Sequence, residues 1–533
     1  MNKKQFEPYS SIPTEKFRLV EEQTVSRDVK LDTKPHSYMY DAFLRFCKNK
    51  GAIVAAIVII ILVLFSIIAP FCTPYNVSDQ DIYFGYALPK SHLFKDTDFW
   101  DGCKIVEDNY ANFIYNMAIS TELNNAAEGN GGHNVVKNQK YEIVETADGV
   151  LYKYRYDTYH KEGTKYLQIN QEEYALIQEY QNKTGNQVLY PTLRLKDRPA
   201  AMQNNNDANY YYVTKTVGGK TQAVLDSNGN VQPIYWEAKK EDINDGYNSI
   251  RIEGQDGFEV NGETHYYVYA RRVSGGDVEV RLNYYEYYTF RHSYVLKDGI
   301  SEPYFLFGAT QAGKDILACL SNGARFSFIF AISIALVNMV IGAIYGAIEG
   351  YYGGAPDLIM ERISDILSAV PMMIVITLLK YYMKETSTVL VLFLSFIVTG
   401  WIGMASTVRM QFYRYKNQEY VLAARTLGAK DWRVIWKHVF PNSLGTLVTS
   451  CALVIPSMIF SETSLSYLGI INLESGNITS VGTLIATGQQ CLTTFPHVVA
   501  FPSIFLALLM LSFNLFGNGL RDAFNPTLRG SEG

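Results

Sequence analysis

Cysteine, histidine and tryptophan are scarce in this chain: six, eight and five among 533 residues. Cysteines this sparse build no dense disulfide framework. A Cys72–Cys103 bridge stays open, while Cys47 and Cys491 stand apart from it. The histidines His92, His133, His160, His265 and His292 share one segment without metal-ligand spacing, so no metal is expected. No nucleophile–base pair or paired-carboxylate spacing stands out, which disfavours an enzyme. A nucleotide-binding loop is missing too. Gly308 to Lys314 fits G-x-x-x-x-G-K, but Asp315 stands where a Ser or Thr hydroxyl must hold Mg²⁺, and no other such loop occurs. If ATP drives this protein, another chain hydrolyses it, and no cofactor is expected in this one. The formal net charge is −5, and no nucleic-acid partner is expected.

Charge is wholly absent from Ala52–Pro70, AIVAAIVIIILVLFSIIAP. At 1.5 Å per residue that run covers roughly 30 Å, the hydrocarbon thickness of a bilayer. The mean hydropathy of −0.04 hides it by averaging two unlike parts. Further spans are predicted near Phe326–Ile348, Ile363–Tyr382, Val389–Ser406, Leu444–Leu468 and Val498–Leu520, six in all. The first begins after fifty polar residues, too late for a cleaved signal peptide, and is expected to stay as an anchor. Arg45, Lys48 and Lys50 abut it, which puts the N-terminus in the cytoplasm. Counting crossings leaves 72–308 outside and the 350–362 loop, the 407–442 loop and the C-terminus inside. The expected organisation is a cytoplasmic tail over 1–50 (flexible, helical near Tyr38–Lys48), a first transmembrane helix over 51–71, an outer domain over 72–308, a membrane core over 309–525 and a short tail over 526–533.

The outer stretch is acidic and holds most of the forty tyrosines. Asp148-Gly149, Asn228-Gly229 and Asn261-Gly262 separate strand-like runs and are read as hairpin turns. Glu279–Phe290 has strand composition. Gln171–Gln181 is a predicted helix capped by Asn170 and closed by Gly185. A mainly-β or α+β domain is expected, and the tyrosines either build its sheets or offer a peptide- or sugar-binding surface.

The segment Glu419–Asn442, EYVLAARTLGAKDWRVIWKHVFPN, is polar and basic between two apolar spans. Tyr420, Val421, Ala424 and Leu427 recur at helical spacing, Gly428 breaks the run, and Val434, Ile435, Val439 and Phe440 restart it before Pro441. Arg409, Arg414, Lys416, Arg425, Lys430, Arg433 and Lys437 face only Glu419 and Asp431 in 407–442. Such a loop belongs on the cytoplasmic face, where something is meant to touch it.

These residues resemble the C-type permease subunit of oligopeptide and dipeptide ABC importers. Leu422-Ala423-Ala424, Gly428, His438 and Pro441-Asn442 look like that family's cytoplasmic motif. Phe307-Gly308 with Gly313-Lys314-Asp315, Gly323 to Ser327, Gly350 to Gly354 with Asp357 and Arg362, Glu462 with Leu465 to Gly469, and Phe513 to Pro526 match further motifs in order. Leu422 departs from the motif glutamate, whose charge is absent or moved to Glu419. Ala309, Thr310, Asn518 and Asn525 depart elsewhere, and the outer domain has no counterpart in compact members.

The resemblance implies an α-helical membrane protein of the type I ABC importer permease fold, with six transmembrane helices and the outer domain inserted between the first two. It implies a coupling helix pair, with Glu419, Ala423, Ala424, Arg425, Gly428, Arg433, His438 and Pro441 at its ATPase contact and Pro441 ending the second helix. Asn338, Glu349, Thr399, Glu462 and Asn514 are candidates for lining the path, as polar groups in or near the spans. The implied partners are a second permease subunit, two ATPases that use ATP and Mg²⁺, a substrate-binding lipoprotein outside, membrane lipid and peptide substrate, in a plasma membrane of bacterial type. Oligosaccharides and nickel are alternative cargoes. A membrane-anchored receptor with an outer sensor domain is the alternative of another class.

Overall fold

A computed structural model describes residues 38–94, 97–126, 134–147, 149–198, 208–218, 220–227, 231–240, 249–273, 275–473 and 479–524. Residues 1–37 of the expected N-terminal tail, the expected tail over 526–533, the Asn228-Gly229 turn, Asp148, His133 and the Asn525-Pro526 pair lie outside these residues.

The chain enters through α1 (Tyr38–Lys48) and α2 (Lys50–Cys72). Asn49 breaks the helix between them and caps the second, its side chain accepting from Ala52 N at 3.2 Å. In α2, Val54, Ile57, Ile61 and Ile68 are exposed, the surface that suits lipid.

A neck then leads into the inserted domain. Tyr86 N donates to Thr310 O at 3.0 Å, Ala309 N to Ala87 O at 2.8 Å, and Lys90 N to Phe305 O at 3.0 Å. Two chain segments more than two hundred residues apart are thus paired as a ribbon. Tyr75, Phe84, Tyr159, Tyr285, Tyr288 and Phe305 pack around it in one buried cluster. The residues between the two sides therefore form a closed cassette with its ends in contact.

Within the cassette, β1 (Cys103–Asp108), α3 (Tyr110–Ala126), β2 (Val136–Thr146) and β3 (Gly149–Asp157) make an antiparallel sheet of order β1-β3-β2 with a helix against it. Next come β4 (Thr164–Ile169), α4 (Gln171–Thr184), β5 (Leu189–Tyr190), the hairpin β6 (Thr214–Val217) and β7 (Lys220–Ala223), β8 (Glu237–Lys239), β9 (Ser249–Ile250), β10 (Phe258–Val260), β11 (Glu263–Tyr267), β12 (Ala270–Arg272) and β13 (Val278–Asn283). The five-stranded sheet runs β4-β13-β12-β9 with β5 also on β13, and β10-β11-β8 form a third sheet. The Asn261-Gly262 turn joins β10 to β11 with both φ angles positive, 53° and 83°, as a tight hairpin requires. Helix α4 has the expected caps: Asn170 Oδ1 accepts from Glu173 N at 2.7 Å, and Gly185 takes φ 77°.

One expectation fails here. The Glu279–Phe290 run is strand only to Asn283; then α5 (Tyr284–Phe290) begins, because Asn283 Oδ1 accepts from Tyr285 N at 3.1 Å and caps it. Many tyrosines are core: Tyr154, Tyr166, Tyr174, Tyr190, Tyr211 and Tyr287 are buried. Below them Arg281, fully buried, bonds Glu122 through Nη1 to Oε1 at 2.6 Å and Nη2 to Oε2 at 2.5 Å, tying β13 to α3. Cys72 and Cys103 are both free.

The membrane core follows: α6 (Ile316–Tyr352), α7 (Gly354–Ser368), α8 (Met372–Tyr382), α9 (Thr388–Gly400), α10 (Ile402–Tyr415), α11 (Glu419–Thr426), α12 (Asp431–Val434), α13 (Phe440–Tyr467), α14 (Val481–Gln489) and α15 (His497–Phe524). Among the described residues five helical stretches are long and apolar enough to cross a membrane, or six if α7 and α8, bent by 75° at residues 369–371, form one broken span. Where six plain spans were expected, the third is thus the irregular one. The residue before Pro371 is pushed out of helical geometry, and the bend follows.

The second span outruns its predicted bounds at both ends, and the expected 350–362 loop is mostly α7. Gly353, at φ 64°, turns the chain directly from α6 into it. Similarly, 407–415 belong to α10, so the polar loop is shorter than 407–442. Helices α6 and α10 approach closely: a Cβ on Gly346 would lie 2.2 Å from Ala405 O.

Candidate coupling site

The failed nucleotide loop has a structural purpose. Asp315 is the cap of α6, accepting from Leu317 N at 3.1 Å and Ala318 N at 3.3 Å, and Thr73 Oγ1 donates to it at 2.9 Å. Gly313 lets the loop lie on the neck, since a Cβ there would sit 1.7 Å from Asp81 O. A carboxylate is right for a helix N-terminus and wrong for phosphate.

At the other end of the core, α11 and α12 are two short helices around Gly428. Gly428 has φ 82°, Gly428 N donates to Arg425 O at 2.9 Å, and Ala429 N to Ala424 O at 3.0 Å, closing α11 in a left-handed turn. The inner face of the pair is apolar. Val421, Val434, Ile435 and Val439 are buried with Val408 and Phe412 of α10, Tyr351 of α6 and Leu447 of α13. The outer face is a patch of exposed apolar side chains, with Leu427 89% and Trp432 72% exposed beside Tyr420 and Leu422. Glu419, Ala423, Arg425, Lys430 and Arg433 are exposed around it, and Ala424 and His438 are half-buried. All eight predicted contact residues are exposed or half-buried on this segment, as are Leu427 and Trp432, which motif reasoning passed over. Their apolar character at a solvent-facing turn was the available signal.

His438 and Pro441 also have local parts to play. His438 O accepts from Asn442 Nδ2 at 2.7 Å, so its carbonyl holds a local brace. Pro441 does not end a helix. A wide turn over Ile435–Val439 leads straight into α13, and the span continues unbroken from Asp431 to Tyr467. Proline is tolerated because it lies in the first turn after that π-type bulge, where no helical N–H is demanded of it.

Carboxylates and cations gather above the segment. Arg409 of α10 reaches Asp357 through Nε at 2.6 Å and Nη2 at 3.0 Å, and Glu361 through Nη1 at 2.9 Å, while Glu349 stands 3.6 Å away. Tyr413 OH donates to Asp357 at 2.5 Å. Lys416 Nζ donates to Gly350 O at 2.8 Å, and burial holds its ammonium below the usual lysine range. One guanidinium thus ties α6 and α7 to α10.

The five polar residues considered for the path are spread apart. Asn338 is buried and bonds Phe396 O at 3.4 Å. Glu349 sits in the Arg409 cluster, about 16 Å further along α6 at 1.5 Å per residue. Thr399 is half-buried near the end of α9 and Asn514 is exposed on α15. Glu462 is fully buried in α13, accepting from Ser466 at 3.1 Å and Ser327 at 3.4 Å.

Comparisons with known proteins fall on these same elements. The family described as binding-protein-dependent transport system inner membrane component matches residues 338–530, and the N-terminal TM domain of oligopeptide transport permease C matches residues 37–89. The second match ends one residue before the Lys90–Phe305 pair of the neck. The chain is similar to the oligopeptide transport system permease protein OppC of Bacillus subtilis (strain 168), 41% identical over 42% of this chain and 72% of that one. It is also similar to the dipeptide transport system permease protein DppC of the same strain, at 38% over 42% and 69%. The Haemophilus influenzae OppC is 38% identical over 42% and 71%. Among solved structures, the inward-facing MetNI methionine ABC transporter is similar at 14% identity and TM-score 0.30, over 38% of this chain and 94% of that one, a likeness too slight to carry an argument. The chain therefore belongs to the binding-protein-dependent transport system inner membrane component family, as a multi-pass membrane permease of the oligopeptide and dipeptide C type.

Proposed function

We propose that this chain forms half of the translocation path of an ATP-driven importer of oligopeptides. It works with a second, homologous permease subunit, two cytoplasmic ATPases and a substrate-binding lipoprotein outside, by alternating access. The ATPases supply the ATP and Mg²⁺ chemistry. Peptide is the cargo favoured by the relatives, whose names are those of oligopeptide and dipeptide transport systems. Both termini face the cytoplasm, in keeping with Arg45, Lys48 and Lys50 at the start of α2.

The observation that carries this reading is the outer face of α11 and α12. Leu427 and Trp432 stand in solvent amid Arg425, Lys430 and Arg433, on a segment whose other face is locked into the core. Apolar anchors within a charged rim are the anatomy of a docking site. The rim charges favour an acidic groove, for specificity more than affinity. With Leu422 in place of the motif glutamate, the apolar anchors take a larger share of the contact.

Co-purification of ATPase subunits with the tagged full chain from membranes tests it. Ala424→Arg and Leu427→Asp are expected to abolish capture while the chain stays in the membrane. Undiminished capture by both variants would sink the assignment.

A further inference from the structure

The coupling segment is held to the core at a third point besides its two covalent ends. Tyr351, on the last turn of α6, is 5% exposed. Its hydroxyl donates to Asp431 Oδ1 at 2.6 Å, and the Arg425 guanidinium lies 4.9 Å from its ring centroid. Asp431 opens α12 and Arg425 lies in the last turn of α11. One ring is therefore gripped by both coupling helices. Apolar packing beneath it from Val421, Val434 and Ile435 joins the same surfaces. A short, charge-assisted hydrogen bond fixes their register.

The helix so gripped is both long and free of proline. At 37 residues α6 is a rod of roughly 55 Å. It contains no proline, whereas α2, α13 and α15 carry Pro70, Pro456 and Pro502. Its other end is fastened as firmly, by Asp315 to Thr73 and by Gly313 against Asp81. A stiff, unbroken element thus joins the neck of the inserted cassette to the coupling segment.

We propose that Tyr351 is a positioning residue for transport, which passes displacement of the coupling segment onto α6 and along it to the neck of the inserted domain. This rests on the permease reading above. The hydroxyl is the part that matters, because a bare ring in its place keeps the packing and the face turned toward Arg425.

The test uses the whole complex, assembled with its partner permease and ATPases in lipid vesicles with the lipoprotein and a labelled oligopeptide pool. Peptide moved and ATP hydrolysed are measured in the same sample. Tyr351→Phe removes the donor and Asp431→Ala the acceptor. Each is expected to lower peptide moved per ATP about tenfold, the scale of a lost hydrogen bond to a charged group, with assembly and ATP hydrolysis unchanged. The double variant is expected to lower it by the same factor, since both changes break one link. The proposal is overturned if Y351F moves as much peptide per ATP as the wild type, if the two losses multiply, or if Y351F sheds its ATPases. A wild-type complex that hydrolyses ATP yet moves no peptide would overturn the permease reading, and this proposal with it.

Discussion

Gly428 shows what one residue decides. Its φ of 82° is costly for side chains with a Cβ, yet no atom lies within 4 Å of where that Cβ would be. Substitution is therefore penalised through the backbone alone. Gly428→Ala is expected to cost about 1 kcal/mol, read as roughly fivefold weaker ATPase capture. Gly428→Asn, which tolerates this conformation, should lose less; equal losses would show that the backbone is not the cause. Asp157 makes the same point for the cassette. Burial raises its carboxyl to about 6, against the opposing pull of Lys90 and the bond from Tyr159 N. A raised acid favours the folded state most when protonated. Its contribution is full below the unfolded value near pH 4 and is lost as pH rises through 6. In the full chain, amide-exchange protection of β3 relative to an Asp157→Asn variant should fall between pH 4.5 and 7. A constant ratio across that window would remove Asp157 from the account. Glycine 428 was legible in the sequence as a break between two periodic runs, whereas nothing local to Asp157 announced its burial, which depends on the neck.

At the scale of elements, the sequence spoke clearly wherever a short-range rule decides. The Asn170 and Gly185 caps and the Asn261-Gly262 hairpin are set by their own backbone. It spoke ambiguously at Glu279–Phe290, where one aromatic run serves first as a strand and then as a helix, and only the Asn283 cap divides them. The bulge over Ile435–Val439 was hidden because proline usually signals an end. The neck was invisible because its two sides lie far apart in sequence. It carries its own prediction. Since Lys90 N and Phe305 O are already 3.0 Å apart, a short Gly-Ser turn in place of residues 91–304 would join the two sides without stretching the backbone. The shortened chain is expected to insert in the membrane and capture ATPases as the full chain does. Loss of insertion would mean that the cassette is part of the core's folding unit. Contacts from the cassette onto α15 and the turn before it make its effect on transport a separate matter: Trp100 lies 5.8 Å from Phe501 between ring centroids, and the Lys104 ammonium 4.6 Å from the centre of Phe495.

In the whole molecule, one core joins two surfaces. Outside the membrane core sits a tyrosine-packed cassette on a paired neck. At the opposite end lie Leu427 and Trp432 on the coupling segment. Between them α6, α10 and α13 are bound by close helix contacts, the Arg409 cluster and Tyr351. Such a body suits transmission of movement. On the permease reading proposed above, the driving force comes from a partner at the coupling surface. ATP-dependent accumulation of a labelled oligopeptide, in vesicles containing the complete complex and the lipoprotein, tests it most directly. Wild-type vesicles should accumulate peptide only with ATP on the side of the coupling segment, and Ala424→Arg should abolish accumulation with both permease subunits still in place. Accumulation that persists in Ala424→Arg, or that proceeds in the wild type without ATP, would contradict the account.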